Sequence, residues 1–448
     1  PATVLIILTR AAWMGAFVGA VPITLALVLF MTTVLIGFPV GFALIFSTLL
    51  YLYPSTSTPL LALPQNLSDG MSNFVLLALP FFILAGAVME HGGISKRLVD
   101  FAHSMVGHIR GGLLQVTVVS IYLVSGLSGS KAADVAAVGP VVRTMLESEG
   151  IRLEEGTAVL AASAAMGETI PPSLGLLVLG SITTLSMAAL FTAGIIPAAV
   201  VALCLMLLIY VRAVRTNMPR SRRATGTEFR HAGLSATLSL LMPIMLYVGI
   251  RTGMSTPTEV SALAVAYGIA LAAVVYRALT VRSFLRMVAK ASTTSGMILF
   301  ILAAASTFSW VLSAAQVPQG LAAIIESWHA SGAIFLIVSL MALVVLGSLL
   351  EGLPAILILA PLLLPLAGRE GINELHYAIA LLVAVGIGAF LPPLGVGFYV
   401  ACSVCGTKIG PAASAMLPYA AVLLAALLIV AFVPWFTLAL PNAFSLGK

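Results

Sequence analysis

The chain has 448 residues, of which 61% are hydrophobic and only 8% charged, and its mean hydropathy is +1.15. Soluble domains carry about 25% charged residues, so no soluble fold hides this much apolar surface, and an all-α polytopic membrane protein is the fold class that remains. The net charge of +6 reads as orientation in, and contact with, an anionic lipid bilayer, and no nucleic-acid partner is expected.

Residues 1–24 form an N-terminal apolar segment whose first twenty positions carry one charge, Arg10. They end without a convincing small-residue cleavage site, so an extra helix or a surface-lying segment is expected rather than a cleaved signal peptide. Apolar runs at 24–50, 74–90, 188–211, 258–276, 333–350 and 413–436 are each long enough to cross about 30 Å of hydrocarbon as a helix. Between them two spans are interrupted. VSGLSGSKAADVAAVGP at 124–140 is followed by MGETIPPSLG at 166–175, and LGSLLEGLPAILILAP at 346–361 by IGAFLPPLGVG at 387–397. A proline pair cannot continue a helix, because each proline removes a backbone hydrogen bond and clashes with the preceding turn.

The interruptions repeat. Shifting the chain against itself by 221 residues (392 − 171) sets Gly126 on Gly347, Pro140 on Pro361, Gly167 on Gly388, Pro171-Pro172 on Pro392-Pro393 and Pro197 on Pro418, without gaps. Gly and Pro fix backbone geometry, so the shared register argues for two copies of one backbone. The copies are expected at 25–211 and 232–440, joined by a basic linker at 212–231 and followed by a tail at 441–448. Each contains a re-entrant hairpin, at about 113–145 and 334–367.

Basic residues accumulate in cytoplasmic loops, yet equivalent loops differ here. Loop 96–110 has Lys96, Arg97 and Arg110 whereas 317–331 has no Lys or Arg; 277–290 has four basic residues whereas 56–69 has none. The linker 212–231 carries six arginines, against Lys448 alone in 433–448. The two copies therefore face opposite ways, an inverted repeat, which is the signature of a secondary transporter whose halves exchange conformations around a central site.

At membrane depth, broken helices persist where the freed carbonyls and amides line a polar cavity or bind something. Carbonyl and hydroxyl oxygens are hard ligands suited to Na⁺, and exposed helix N-termini face carboxylates. Charges near these breaks are costly unless paired or wet. Lys131 and Asp134 lie one helical turn apart, and Lys131 has Asp134, Glu168 or a substrate carboxylate as its possible partners. Glu351, equivalent to Ser130, stands near the second break with a coupling or a structural role open to it. Glu259 in TPTE is expected to cap its helix. Cys204, Cys402 and Cys405 read as packing residues, and the six histidines show no ligand spacing, so metal catalysis is unsupported.

Seven segments in order carry a family resemblance: GFPVGFAL (37–44), LPFFILAGAVMEHGGISKRLVDFA (79–102), SGLSGSKAADVAAVG (125–139), IPPS (170–173), TPTEVSALAV (256–265), LLEGLPAILILAPLLLP (349–365) and PPLGVGFYVA (392–401). The chain resembles, over roughly 25–440, the large membrane subunit of the tripartite ATP-independent periplasmic (TRAP) transporters, the DctM/SiaM-like family. The resemblance implies an elevator-type carrier in the bacterial inner membrane, importing a small organic anion by sodium symport. It also implies two partners: a small DctQ/SiaQ-like membrane subunit and a periplasmic DctP/SiaP-like binding protein. Sodium sites carried over by position use Ser125 and Ser128 with carbonyls at Gly167, Ile170 and Pro172, and Gly347 with Gly388, Leu391 and Leu394. Ser130, Lys131, Ser173 and Gly395 are the candidates for substrate contact. The family commonly has Thr where Leu391 stands, which removes a side-chain oxygen from the second ion site, and Lys131 stands where small or polar residues are usual. A self-sufficient dicarboxylate carrier, or an intramembrane hydrolase built on Asp134, Glu168 and Ser128, are the alternatives. The hydrolase has no G-x-S-x-G or H-E-x-x-H to support it.

Overall fold

Gly37 and Pro39 divide the first apolar run. A single span over 24–50 is expected from hydropathy, but the chain forms two helices, Ile23–Leu35 and Val40–Leu52, because Gly37 takes a left-handed turn (φ +88) and Pro39 cannot continue a helix. A computed structural model of the chain describes residues 23–53, 60–218, 220–327, 332–350, 352–444 and 446. Residues 1–22, Glu351 and the side chain of Ser128 lie outside that description. Among the described residues every regular element is helical, and eight helices, from Phe74–His91 to Ile409–Phe432, are long and apolar enough to span a membrane. The protein is a polytopic helical membrane protein.

From Gly112 onward the elements come in pairs. Two helices joined tip to tip, Gly112–Ser128 and Lys131–Ser148, are matched by Gly332–Leu349 and Leu353–Arg369. A broken helix follows in each half, Leu153–Ala164 with Leu174–Ile182 and Glu374–Phe390 with Val396–Cys405, and then a long helix, Met187–Arg215 or Ile409–Phe432. At the shift of 221 the first and second halves start each of these elements within one residue of each other. Ahead of them the halves differ. Val281–Ala314 is one unbroken helix, whereas its counterpart region is divided into Ala62–Met71, a 3-10 turn at Phe74–Leu77 and Ala78–His91, with Asn73 capping the turn through Val75 N.

Packing separates two groups. Val281–Ala314 lies against Val40–Leu52, Ala62–Met71 and Ala78–His91, and Pro257–Ala270 packs on Ala78–His91. The hairpins, the broken helices and the two long helices pack on one another, with Glu374–Phe390 at the centre and buried along its whole length except at its first residue. The amphipathic helix Ile94–Val106 joins the groups, touching both Gly112–Ser128 and Gly226–Arg251. It buries Ile94, Leu98 and Ala102 on one face and leaves Lys96 and Asp100 out. Reciprocal capping boxes fix three helix starts among the described residues, at Thr225/Glu228, Thr256/Glu259 and Thr280/Ser283, so Glu259 serves as the expected cap.

Candidate functional site

The tip of the first hairpin is made by Gly129 in the left-handed region (φ +63) and the extended Ser130, and Lys131 is the first residue of the returning helix. Facing it, Leu153–Ala164 tightens into a 3-10 turn at Ala165–Thr169 and unwinds at Ile170 to Ser173 through the proline pair. Ser173 then caps the next helix, its Oγ accepting from Gly175 N at 3.1 Å and Leu176 N at 3.4 Å. The tip and the break are tied directly, Leu174 N donating to Gly129 O at 3.2 Å.

Five polar side chains converge there. Lys131 Nζ pairs with Glu168 Oε1 at 2.9 Å, with side chains only 11% and 8% exposed. Glu168 Oε2 accepts from Ser173 Oγ at 3.0 Å and Gly175 N at 3.1 Å, so both of its oxygens are engaged. Ser125 Oγ donates to Asp134 Oδ2 at 2.5 Å, both residues being 1% exposed. Gly167 lets the backbone come close to this pair: a methyl on it would stand 2.9 Å from Ser125 Oγ and 3.4 Å from Asp134 Oδ2. Glu168, one of the partners open to Lys131, pairs with its ammonium.

The second half closes over the same point. Gly352, at the second tip with φ +84, comes close enough that its missing Cβ would be 3.5 Å from Lys131 Nζ, and the Phe390 ring lies 5.9 Å from that nitrogen. Gly352 is the position equivalent to Lys131. Likewise Gly386, equivalent to Ala165, lies against it, a Cβ there falling 2.4 Å from Ala165 O. Equivalent residues meeting one another is what a two-fold relation requires along its axis.

The two breaks are nevertheless in different states. In the first, the amide of Leu174 bonds to the hairpin; in the second, the equivalent amide of Gly395 turns back to Leu391 O at 2.8 Å. Ser173 is 1% exposed and its equivalent Leu394 48%. Gly395, a candidate for substrate contact, thus folds onto its own loop.

The oxygen donors can be weighed for Na⁺. The first set fits: a buried hydroxyl and carboxylate at Ser125 and Asp134, beside the unwound backbone of Gly167, Ile170 and Pro172, are hard ligands. Gly167 O accepts from Ile170 N at 3.4 Å, and a carbonyl has two lone pairs. The second set, Gly347, Gly388, Leu391 and Leu394, contributes no side-chain oxygen; the carbonyls of Gly388 and Leu391 each accept one amide, from Leu391 N (3.0 Å) and Gly395 N (2.8 Å), as Gly167 O does from Ile170 N. The neighbouring Ser348 turns its hydroxyl to Val345 O at 2.7 Å. No three His, Cys, Asp or Glu side chains gather as a metal site among the described residues.

Two features escape a reading of the sequence. Glu155 is buried at the start of the first broken helix, where it accepts from the Tyr419 hydroxyl and, at 3.1 Å, from Arg212 Nη2. Asn73 Nδ2 donates to Ser181 O at 2.7 Å beside a cleft of about 260 Å³ between the two packing groups, which Asp69, Ser306, Ser309 and Leu357 also line. Only the polar run QNLSDGMSN at 65–73 hints at the second; no local pattern marks the first.

Residues 27–436 match the family described as "Tripartite ATP-independent periplasmic transporter, DctM component". The chain is 32% identical over 399 residues to the 2,3-diketo-L-gulonate TRAP transporter large permease protein YiaN of Escherichia coli, covering 89% of this chain and 94% of that one. It is 35% identical to the C4-dicarboxylate TRAP transporter large permease protein DctM of Pseudomonas aeruginosa (85% and 89% covered). Identity to the sialic acid TRAP transporter large permease protein SiaM of Vibrio cholerae is 33% (91% and 96% covered). These relatives are permease subunits of transporters and not enzymes, so the hydrolase alternative falls. Among solved structures, the YdaH transporter of Alcanivorax borkumensis shares the fold, with a TM-score of 0.58, 15% identity, and 84% and 88% of the two chains covered.

Proposed function

The chain belongs to the DctM component family of tripartite ATP-independent periplasmic transporters, and from that premise we propose that it is the large permease subunit of a sodium-coupled importer of small organic anions. The proposal places it in a bacterial inner membrane with a small membrane subunit and a periplasmic binding protein that delivers the substrate. Relatives named for a diketogulonate, C4-dicarboxylates and sialic acid favour a carboxylate cargo.

The observation that carries this reading is the meeting of both hairpin tips and both broken helices at one buried polar cluster. Sodium at Ser125, Ser128 and the carbonyls of Gly167, Ile170 and Pro172 would bind only when hairpin and break are held together, which Leu174 N and Gly129 O do here. The substrate carboxylate would enter beside Ser130, Lys131, Ser173 and Gly395, attracted by the ammonium and the N-terminus of Leu174–Ile182. Re-entrant hairpins and an elevator motion of the hairpin group against the other helices would carry the site across. The unlike states of the two breaks are what halves that exchange conformations would adopt.

Uptake into proteoliposomes holding both membrane subunits, with and without the binding protein, tests the function. Sodium-driven uptake that needs the binding protein is expected; uptake without it would identify a self-sufficient carrier. Ser125→Ala should raise the sodium concentration needed for half-maximal uptake by roughly 5- to 150-fold, the equivalent of about 1–3 kcal/mol for one oxygen to a charged group. Unchanged sodium activation would shift coupling to protons through Glu168 or Glu351. For topology, single cysteines placed in 96–110, 212–231 and 277–290 or at Lys408 should label from the cytoplasm, and those in 56–69, 317–331 and the C-terminus from the periplasm. Labelling of positions 100 and 320 from the same side would sink the inverted orientation.

A further inference from the structure

We propose that the cleft between the two packing groups is a further part of the cargo site and receives hydroxyl groups, so that the cargo is a polyhydroxylated monocarboxylate about as long as a six-carbon acid. The proposal rests on the carboxylate reading above and names the class of anion.

One wall of this cleft of about 260 Å³ belongs to Ala62–Met71 and Val281–Ala314, through Asp69, Ser306 and Ser309; the other belongs to the hairpin group, through Leu357 and Pro361. The first wall is tightly built. A Cβ on Gly70 would stand 2.7 Å from Ser306 Cβ, so the two helices touch there and Asp69 is set beside the serines. Ser306 and Ser309 are three residues apart and share a helix face. Hydroxyls within helices commonly bond back to a carbonyl one turn earlier, and on this helix Thr293, Ser295, Thr307 and Ser313 do so. The side chains of Ser306, Ser309 and Asp69 have no hydrogen bond or ion pair among the described residues. Ser292 and Thr294 are also unbonded, but they lie at least about 18 Å along the helix from Ser306. Asn73 is already engaged at both ends of its amide, with Ser181 O and Val75 N, and holds the two walls together.

This lining selects by chemistry. A hydroxyl donates and accepts and a carboxylate accepts, so together they suit the hydroxyl groups of a ligand. No Lys, Arg or His lines the cleft among the described residues, and a second carboxylate reaching it would meet the charge of Asp69 with no cation to offset it. Distance sets the length. A Cβ on Gly352 would stand 3.5 Å from Lys131 Nζ, and Leu357 lies five residues further along the returning helix Leu353–Arg369. That rise of about 7.5 Å is about the reach of an extended six-carbon acid. One carboxylate at Lys131 and a run of hydroxyls against Asp69, Ser306 and Ser309 therefore fit a single molecule.

Calorimetric titration of D-gluconate, hexanoate and succinate into the purified chain with its small subunit, in sodium buffer, tests this. D-gluconate should bind at least about tenfold more tightly than succinate, and than hexanoate, which has its length without its hydroxyls. Ser306→Ala combined with Ser309→Ala should weaken D-gluconate about tenfold, the effect of two neutral hydrogen bonds, and leave hexanoate unchanged. Equal binding of D-gluconate and hexanoate by wild type, tighter binding of succinate than of either, or an unchanged D-gluconate affinity in the double variant would overturn the hydroxyl subsite while an importer of organic anions stands. Binding of none of the three would remove the organic-anion reading, and this proposal with it. Should the double variant fail to fold, Ser309→Ala alone decides: a loss of about threefold for D-gluconate is expected, and no loss overturns the proposal.

Discussion

Lys131→Met is expected to lower the stability of the protein in sodium-free buffer by about 3–5 kcal/mol, and Lys131→Met combined with Glu168→Gln to recover most of it. The pair is almost closed to solvent, at 11% and 8% side-chain exposure. Removing only the cation strands a carboxylate in low dielectric, and the two remaining donors, Ser173 Oγ and Gly175 N, lessen the loss without cancelling it. Neutralising both partners removes the desolvation cost together with the attraction, so the double variant should come within about 1 kcal/mol of wild type. Thermal melting in detergent reads all three proteins. A single variant that melts with wild type would mean that the lysine extends to water and that Glu168 has no need of it.

Gly386→Ala is expected to reduce transport severely. The two broken helices cross where Gly386 lies on Ala165, and the new Cβ would sit 2.4 Å from the Ala165 carbonyl oxygen. That obstacle is backbone held between buried helices, so relief requires separating the halves at their shared axis. Overpacking of this kind typically costs about 1–3 kcal/mol, and an uptake loss of about thirtyfold corresponds to the middle of that range. Gly296→Ala is the matched control. It lies inside Val281–Ala314 with nothing within 4 Å of its added Cβ, so it should stabilise that helix by up to about 1 kcal/mol through the lower entropy of the unfolded chain. Equal uptake by the Gly386 and Gly296 variants would show that the crossing is looser than its geometry.

Hydropathy and backbone-fixing residues were enough to determine the membrane class, the helix breaks and the register of the two halves. Those properties are local: an apolar run of about 20 residues must be a span, and a Pro pair must end a helix wherever it falls. The same logic misjudged 24–50, because hydropathy does not register the turn that Gly37 and Pro39 impose. The candidate cluster was legible as a set of residue types near the breaks, and Ser125, Lys131, Asp134, Glu168 and Gly167 do come together. Which of them bind one another was not legible. Asp134, one turn from Lys131, and Glu168, 37 residues away, are equally good carboxylates on paper. Only the packing of hairpin on break brings Glu168 to the ammonium and Ser125 to Asp134. The contacts of Lys131 with Gly352 and of Ala165 with Gly386 depend on how one half is laid over the other, a relation between segments 221 residues apart that no local pattern encodes. The unequal states of the two breaks have the same origin: matching backbones in the two halves receive different neighbours, so the amide of Leu174 reaches the hairpin while that of Gly395 turns back on its own loop.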